Sequence, residues 1–458
     1  MQDNLVEATP DDIPISTTTK AALTSWLDAN PAHRAWISAT KFTADAGAVT
    51  LLPGEDGGLR RVLAAPNDGG DVWAFAGLPM ALPEGRYRLD GAFDAAAATN
   101  AALGWALGAY AFNRYKKAKR SPARLAWPEN ADRDEVRRLA RGVFLARDLI
   151  NTPAEDMGPE QLVEAGAHMA RGHGAEVRTT SGDALLNENY PAIHAVGRAS
   201  TRAPALLDFR WGESSAPRVT LVGKGVCFDT GGLDIKAADG MLEMKKDMGG
   251  AAVVLGLAQA LMDAKARIRL RVLIPAVENS ISGNAMRPRD IIKTRAGLTV
   301  EIGNTDAEGR LILCDALSEA DSEAPDLLID CATLTGAARV ALGVDLQATY
   351  CDDDEAAVAL CKFGALAGDP LWRMPIWRPY RKLIDGKCAD LNNVASGPMA
   401  GSIIAALFLA EFVKSAKTWA HLDIMASNPA AKPGRPEGGE ATGMRALYAY
   451  VVSRYGVS

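Results

Sequence analysis

The octapeptide Asn-Thr-Asp-Ala-Glu-Gly-Arg-Leu at residues 304–311 gathers acidic and basic side chains in a short space. It follows a strand-like run at 298–302 and precedes a helix-like segment. Side chains two apart on an extended backbone share one face, so Asp306, Glu308 and Arg310 would converge. At the end of a parallel strand, such a group can bind a ligand. A surface turn rich in Asn, Asp and Gly is the alternative.

A second stretch, residues 222–252, adds Lys224, Asp229, Lys236 and Asp247 among several glycines. It also follows a strand-like run and precedes an apolar, helix-like segment. Glycines permit positive φ and close backbone approach, so this loop can fold around a small charged object. The candidate residues of the two stretches are thus four acids, two lysines and an arginine.

Four carboxylates cannot lie together unless cations compensate their charge. Two divalent metal ions would do so, and a carboxylate-rich ligand set without histidine suits Mn²⁺ or Mg²⁺ and admits Zn²⁺. The pKa of a water held by such ions falls from about 15.7 towards roughly 7. The sequence therefore indicates a hydrolase that uses neither a serine nor a cysteine nucleophile.

The basic residues have two interpretations each. Lys224 and Lys236 are counter-ions of the acids on the simpler interpretation. As a metal ligand, Lys224 would have to be a neutral amine, at a cost of roughly 5 kcal/mol. As a cation, Lys236 would stabilise the oxyanion that forms when a carbonyl is attacked. Arg310 can hold an anion or a substrate group.

Other enzyme classes lose support because their motifs are missing. The chain contains no GxSxG, Walker loop, HExxH or strand-flanked GxGxxG. Its net charge of −6 argues against nucleic-acid binding, and the basic cluster at 114–124 is expected to be a solvated linker. The six cysteines lack metal-site spacing, which predicts buried free thiols.

At 458 residues, the chain is expected to form two domains. Residues 1–130 predict a smaller N-terminal α/β domain, with strands that include 35–42 and 72–76. Residues 131–458 alternate strand and helix patterns after a linking helix at 131–151, with strands predicted at 194–197, 205–211 and 327–332 among others. This alternation predicts an α/β catalytic domain with a mostly parallel central sheet flanked by helices.

The location is predicted from two segments. The first seven residues have neither the cationic start nor the apolar core of a signal peptide. The most apolar segment, 400–410, is too short to span a bilayer. A cytoplasmic protein without membrane association is therefore expected.

The chain resembles the leucyl aminopeptidase family of two-metal cytosolic exopeptidases. The resemblance covers most of 131–458 and rests on the octapeptide together with five further motifs. These are Val-Gly-Lys-Gly at 222–225, Phe-Asp-Thr-Gly-Gly at 228–232, Asp-Met-Gly-Gly at 247–250, Ala-Thr-Leu-Thr-Gly-Ala at 332–337 and Trp-Ala-His-Leu-Asp at 419–423. It implies a metallo-aminopeptidase acting on peptides with a free N-terminus in peptide catabolism. It also implies a homo-hexamer, two Mn²⁺ or Zn²⁺ ions per subunit, or Mg²⁺, and a bicarbonate.

The resemblance also implies a ligand set for each metal. One ion would be held by Lys224, Asp229, Asp247 and Glu308. The other would be held by Asp229, Asp306 and Glu308, so that two carboxylates bridge the ions. The free α-amine of the substrate would bind one of the metals, which limits such enzymes to unblocked N-termini.

The remaining site residues follow from the same resemblance. Lys236 falls on the family's catalytic lysine. Arg310 falls on the arginine that holds the bicarbonate acting as general base, assisted near Gly309 and Leu334. The pocket for the first side chain would be lined by Met244, Thr333 and Gly336. The chain departs from the family at Met425, where alanine is common, and a methionine there would fill pocket volume.

Two other functions are compatible with these residues. A binding or scaffolding protein could use the N-terminal domain, with hydrolysis incidental, although the acidic net charge speaks against it. A two-metal phosphoesterase is chemically reasonable for a carboxylate-rich site.

Overall fold

The computed structural model describes residues 4–66 and 71–457. The chain forms two compact units. Unit 1 comprises Met1–Arg141 with Ala430–Glu437, and unit 2 comprises Gly142–Pro429 with Gly438–Ser458. The first boundary falls inside a helix, Arg133–Asn151.

Unit 1 is built on a sheet whose strands are parallel except at one edge. Its buried core centres on the Trp105 ring, whose Nε1 donates a 3.0 Å hydrogen bond to the carbonyl oxygen of Ala123. The sheet order is β1-β6-β5-β2-β4-β3, with only the β3–β4 pair antiparallel among the described strands. The elements are β1 Leu5–Val6, β2 Ile13–Thr17, α1 Leu23–Ala29, α2 Arg34–Ala39, β3 Val49–Pro53, β4 Leu59–Ala64, α3 Leu78–Ala81, β5 Arg86–Leu89, α4 Ala95–Gly108 and β6 Arg124–Ala126.

Unit 2 contains the larger sheet, in which nine described strands pair in the order β16-β15-β18-β14-β9-β11-β8-β7, with β10 beside β11. The central strands β18, β14, β9 and β11 are parallel to one another. All six residues of β14 are buried, as expected for a strand covered by helices on both faces. The strands are β7 Glu176–Ser181, β8 Ala205–Trp211, β9 Arg218–Gly223, β10 Gly225–Asp229, β11 Arg269–Asn279, β12 Ile291–Lys293, β13 Thr299–Glu301, β14 Leu327–Ala332, β15 Gln347–Cys351, β16 Leu371–Met374, β17 Leu391–Asn392, β18 Trp419–Asp423, β19 Ser427–Asn428 and β20 Gly438–Gly439.

Helices cover this sheet. The apolar helix Gly249–Asp263 buries nearly all its residues because it packs against β9 and β14. The helices are α5 Arg133–Asn151, α6 Pro159–Gly172, α7 Ala184–Asn187, α8 Pro191–Gly197, α9 Ala238–Met241, α10 Gly249–Asp263, α11 Gly309–Asp321, α12 Gly336–Leu342, α13 Asp354–Leu366, α14 Gly401–Ala410 and α15 Met444–Tyr455, and 3₁₀ turns lie at Pro31–His33, Met244–Met248 and Arg378–Ile384. The predicted α/β class with a mostly parallel central sheet is confirmed.

Three predicted strands are wrong. Residues 194–197 belong to α8, which begins with Pro191 at a position where its missing N–H costs nothing. Residues 34–39 form the helix α2, and residues 72–77 form turns. Each of these segments has the apolar run of a strand, but periodicity alone does not separate a short buried helix from a strand. None of the described helices is both long and apolar enough to cross a membrane.

Candidate metal centre and active site

The charged side chains of the site come from the ends of β9 and β10 in the larger sheet, from the 3₁₀ turn before α10, and from the loop after β13, which belongs to a separate three-stranded sheet. Lys224 follows β9, and its backbone N–H continues the pairing with β14 by donating to Cys331 O at 3.0 Å. Asp229 is the last residue of β10, and Asp247 lies in the 3₁₀ turn before α10. Residues 304–308 form the loop that leads from β13 into α11. Ligands bind at the carboxyl ends of the strands in parallel α/β sheets, because loops and helix N-termini meet there.

Three carboxylates form the centre of the site. Asp229, Asp306 and Glu308 each place one oxygen so that all three oxygens lie within 4.8 Å of one another. Backbone and side-chain donors fix Asp229, whose Oδ1 accepts from Gly231 N at 2.8 Å and from Asn279 Nδ2 at 2.9 Å. The Glu308 side chain is buried, and its Oε2 has no hydrogen-bond partner in the described part of the chain.

Lys224 connects the fourth acid to this centre. Its Nζ lies 2.8 Å from Asp247 Oδ2 and 3.0 Å from Glu308 Oε1. The same nitrogen donates to the backbone oxygen of Thr333 at 2.8 Å, and Thr333 Oγ1 donates to Asp247 Oδ1 at 2.7 Å. Burial lowers the pKa of Lys224, but the charges of the surrounding acids outweigh burial and leave the pKa above its usual value. Lys224 is therefore an ammonium group here.

Lys236 lies on the other side of the centre. Its Nζ is 2.9 Å from Asp229 Oδ2 and also forms an ion pair with Asp306. Burial lowers the pKa of Lys236, but the two acids raise it by more than burial lowers it, so the net shift is upward. Two lysines thus neutralise the carboxylates in this arrangement.

The acids themselves carry protons more readily than usual. Burial, followed by the charge of Asp229, raises the pKa of both Asp306 and Glu308 to about 7. Burial also raises the pKa of Asp247. A divalent cation stabilises the ionised form of such groups far better than a lysine does, so this cluster has the electrostatics of a metal site.

The oxygen-rich donor set and the unpartnered oxygen of Glu308 fit divalent cations. Lys224 fits only as a neutral amine, so a cation at its position must displace the lysine proton. Gly309 leaves room for this lysine, because a Cβ there would lie 2.5 Å from Lys224 Cε.

Arg310 does not share an extended face with the acids. It is the second residue of α11, and its Nη1 donates to Asn393 O at 2.7 Å. Burial lowers the pKa of Arg310 to about 10. Its Nε has no hydrogen-bond partner among residues 4–66 and 71–457. The turn at 304–308 and the start of the helix, rather than an extended strand, bring Asp306, Glu308 and Arg310 to one cavity.

Most of the residues predicted for the substrate pocket and the anion site lie around the same cavity, which has a volume of about 70 Å³. Met244, Thr333 and Gly336 line it, and so do Gly309 and Leu334, which were predicted for the anion site. Met425 is not one of its lining residues, and its Sδ instead lies 3.6 Å from Arg339 Nη1.

The sequence did not identify four residues that the structure places at or around the site. Asn279 and Asn393 hold the loops that carry the acids, and Lys246 and Arg339 line the cavity. Lys246 stands directly beside Asp247 in the second charged stretch, residues 222–252, but a Lys-Lys pair usually belongs to a solvated face. The asparagines occur in turn-like sequences and gave no signal of their own.

The family of the chain follows from comparison with known proteins. The family model described as "Cytosol aminopeptidase family, catalytic domain" matches residues 144–448. The model "M17 aminopeptidase, N-terminal domain" matches residues 13–128. The chain belongs to the cytosol aminopeptidase family. The predicted family is therefore confirmed, and the chain is a metal-dependent aminopeptidase, which is a hydrolase.

Individual relatives of this family cover most of the chain. Peptidase B of Pectobacterium carotovorum is 40% identical over 71% of this chain and 77% of its own length. A probable cytosol aminopeptidase of Geobacter sp. strain M21 is 39% identical over 78% of this chain and 75% of its own.

Solved structures of the family match over almost the whole length. The crystal structure of cytosol aminopeptidase from Coxiella burnetii superposes with a TM-score of 0.95 at 47% identity, covering 99% of this chain and 100% of that one. The bottromycin maturation enzyme BotP in complex with Mn superposes with a TM-score of 0.85 at 32% identity, covering 97% and 99%.

Proposed function

We propose that this aminopeptidase removes the N-terminal residue from peptides by two-metal catalysis centred on Asp229, Asp306 and Glu308. The supporting observation is the convergence of these three carboxylates, each of which places one oxygen within 4.8 Å of the other two. In the arrangement seen here, two lysines pair with these acids and stand where compensating cations are needed. Mn²⁺ or Zn²⁺ is proposed as the native ion, with Mg²⁺ as a further candidate.

The ligand sets proposed for the two ions share two carboxylates. Lys224, Asp229, Asp247 and Glu308 would hold one ion, and Asp229, Asp306 and Glu308 would hold the other. When bound, such a pair supplies Lewis acidity to the scissile carbonyl and activates a water at neutral pH.

Lys236 stabilises the negative charge that develops on the carbonyl oxygen of the scissile bond. Its ammonium nitrogen contacts Asp229 and Asp306, which places a positive charge at the edge of the carboxylate centre. A cation at this point donates to the carbonyl oxygen of the scissile bond as negative charge develops there. This role requires a protonated lysine, and the ordinary pKa of a lysine side chain, about 10.4, provides one at neutral pH.

Arg310 binds an anion, which we take to be bicarbonate acting as the general base. Its Nε carries a donor without a partner in the described chain, and its Nη1 is fixed by Asn393. Gly309 and Leu334 line the cavity beside it.

The first side chain of the substrate lies against Met244, Thr333 and Gly336. Met425 does not line the cavity itself, but its sulfur contacts Arg339, which does, and through this contact it would limit the pocket. We therefore expect Met425→Ala to widen the accepted first side chains, as measured with alanine, leucine, methionine and phenylalanine amides. An unaltered profile would show that Met425 does not shape the pocket.

The family resemblance extends the proposal to a cytoplasmic homo-hexamer engaged in peptide catabolism. Size-exclusion chromatography with light scattering tests the assembly, since a mass of one subunit would exclude it.

The decisive test of the reaction compares leucine amide with N-acetyl-leucine amide. Each is assayed with excess Mn²⁺ and again after chelation. Hydrolysis of the free-amine substrate alone, abolished by the chelator, is expected. Hydrolysis of p-nitrophenyl phosphate without hydrolysis of leucine amide would instead favour the phosphoesterase alternative, and turnover unaffected by chelation would exclude the two-metal mechanism.

A further inference from the structure

The loop at 230–237 is joined by hydrogen bonds to the loop at 304–308. Asp234 Oδ2 accepts from Thr305 N at 2.7 Å, and Thr305 Oγ1 accepts from Asp234 N at 2.8 Å. Each of these residues thus gives the other one donor and one acceptor. The Thr305 hydroxyl also donates to Gly231 O at 2.6 Å, which connects it to a second point of the same loop.

Both loops supply residues of the proposed reaction. Lys236 belongs to the first loop, two residues after Asp234, and Asp306 follows Thr305 directly in the second. The Asp234–Thr305 pair therefore joins the backbone that carries the proposed oxyanion-binding lysine to the backbone that carries a proposed metal ligand. This inference rests on the proposed function, because it concerns how Lys236 is held in place for its role there.

Glycine at two positions lets the two loops approach each other this closely. A Cβ added to Gly232 would lie 3.0 Å from Thr305 Oγ1, and one added to Gly231 would lie 3.2 Å from Asp306 Oδ1. Both glycines also have a positive φ, +67° for Gly232 and +86° for Gly231, which other residues adopt only at a cost. The residue types of the loop are thus suited to this contact.

Polar contacts rather than apolar burial hold the loop. Its two large apolar residues, Leu233 and Ile235, are 40% and 61% exposed. Thr305 is fully buried, so its hydrogen bonds to the loop are shielded from water. At its base the loop is closed by a hydrogen bond of 3.0 Å from Lys236 N to Thr230 O. This bond and the Asp234–Thr305 pair fix the backbone on either side of the lysine.

The side chain of Lys236 cannot supply this anchoring when metal ions are bound. In the arrangement seen here, its ammonium group pairs with Asp229 and Asp306, which are proposed metal ligands. Divalent ions at these acids would compete with the ammonium group for the same oxygens. The position of the ammonium group would then depend on the backbone of the loop. A displacement of about 1 Å at a reacting group can lower a rate by about 100-fold.

We propose that Asp234 and Thr305 are positioning residues that fix the loop of Lys236 against the loop of Asp306 and Glu308. The ammonium group of Lys236 is thereby held where it meets the carbonyl oxygen of the scissile bond. Asp234 and Thr305 act through Lys236 and are not ligands of the ions. Loss of the pair should therefore lower kcat rather than raise KM, and it should leave the bound metal unchanged.

The first test compares Asp234→Ala with Asp234→Asn on leucine amide with excess Mn²⁺. Alanine removes the acceptor for Thr305 N, so kcat should fall by about 10- to 100-fold while KM changes by less than about threefold. Asparagine keeps an acceptor oxygen without the charge and should retain kcat within about threefold of the wild type. Equal losses in the two variants would show that the charge of Asp234 matters instead of its hydrogen bond, and would overturn the inference.

The matched control is Asp239→Ala. Asp239 is an exposed acid on α9, and its carboxylate forms no hydrogen bond or ion pair with another described residue. Its kcat and its metal content, measured by elemental analysis, should equal those of the wild type. A loss of metal in Asp234→Ala that accounts for its lower kcat would overturn the inference.

Thr305 allows a second comparison from the other loop. Thr305→Ser keeps the hydroxyl group, and Thr305→Val keeps the shape of the side chain without it. The serine variant should stay near the wild-type kcat, and the valine variant should fall as far as Asp234→Ala. An equally low kcat in both would assign the effect to packing and would overturn the inference.

Two further measurements separate positioning from a general loss of structure. In the Lys236→Ala background, Asp234→Ala should lower kcat by no more than about twofold, because the lysine through which it acts is gone. In the metal-loaded enzyme, Asp234→Ala should speed hydrogen–deuterium exchange at 230–237 and leave it unchanged in α10. A full further loss of kcat, or unchanged exchange at 230–237, would overturn the inference.

Failure of the proposed function would give a different result. An unchanged kcat in Lys236→Ala would remove the proposed role of that lysine and this inference with it. A low kcat in Lys236→Ala together with a wild-type kcat in Asp234→Ala would overturn this inference alone.

Discussion

Lys224 Nζ lies 3.0 Å from Oε1 of Glu308, a buried carboxylate whose other oxygen has no hydrogen-bond partner among the described residues. The lysine thus stands where a cation is required, and it compensates only one side of the acid. This pair explains why the pKa of Glu308 still rises to about 7, since burial and the charge of Asp229 outweigh one ammonium group. Glu308 is therefore an acid whose ionised form a bound ion would stabilise.

The first prediction concerns Glu308→Gln. The variant keeps the shape of the side chain but removes the charge shared between the two proposed ions. We expect turnover of leucine amide to be lost and the bound metal per subunit, measured by elemental analysis, to fall. Glu355→Gln, an exposed acid at the start of α13, should retain both. Full activity in a metal-replete Glu308→Gln protein would remove the two-metal mechanism.

The second prediction concerns Lys236→Ala. Loss of a donor to the developing oxyanion should lower kcat by roughly 10² to 10³. Metal content should not fall, because the lysine competes with cations for Asp229 and Asp306 in the arrangement seen here. Steady-state kinetics and elemental analysis on the same preparation separate the two effects. An unchanged kcat would exclude the proposed role for Lys236.

The fold was predictable where burial on both faces makes the strand sequence continuously apolar. Two strands, Ala205–Trp211 and Leu327–Ala332, are predicted with their observed bounds. Residues 194–197 show why other strand predictions are wrong. The helix that contains them begins where Ala192 N and Ile193 N donate to Asp315 Oδ2, and that carboxylate is more than a hundred residues away in the sequence. No local pattern contains that contact.

The site was predictable in composition but not in geometry. The acids and lysines occur in sequence motifs, so the sequence alone identifies them as candidate metal-site residues. The bond between Thr333 and Asp247 joins residues 86 positions apart, and the role of Asn393 depends on a similar long-range contact. Such pairs exist only once the sheet brings the loops together.

The third prediction concerns this Asn393, which is fully buried. Its Oδ1 accepts from Gly303 N at 2.7 Å and from Asn304 N at 3.2 Å. Its Nδ2 donates to Asn304 O at 2.7 Å, and its backbone oxygen accepts from Arg310. The side chain therefore fixes the loop that carries two proposed metal ligands.

Asn393→Ala should lower the free energy of unfolding by about 1–3 kcal/mol, because buried backbone groups lose their partners. It should also lower kcat, since Asp306 and Glu308 are no longer held in place. Asn393→Asp keeps the acceptor and loses the donor, so it should fall between the wild type and alanine in kcat. A drop in stability with unchanged kcat and metal content would show that Asn393 only supports the fold.

The fourth prediction concerns the buried pair of His421 and Asp330, in which Nδ1 lies 2.6 Å from Oδ1. Trp419 Nε1 donates to the other oxygen of Asp330 at 2.8 Å. Burial lowers the pKa of His421, but the charge of Asp330 and the hydrogen bond to it outweigh burial, and the net shift is upward. The folded protein therefore holds this proton more tightly than the unfolded chain, where the pKa of histidine is about 6.5.

The sign of the pH dependence follows from this difference. Stabilisation by His421 is fully present below about pH 6.5 and is lost as the pH rises through the higher pKa of the folded state. His421→Asn keeps a donor for Asp330 but does not titrate in this range. The free energy of unfolding should therefore favour the wild type most in acid, and its advantage over His421→Asn should shrink as the pH rises above about 6.5. Urea unfolding of both proteins across this range measures the difference, and a constant difference would show that folding does not raise the pKa of His421.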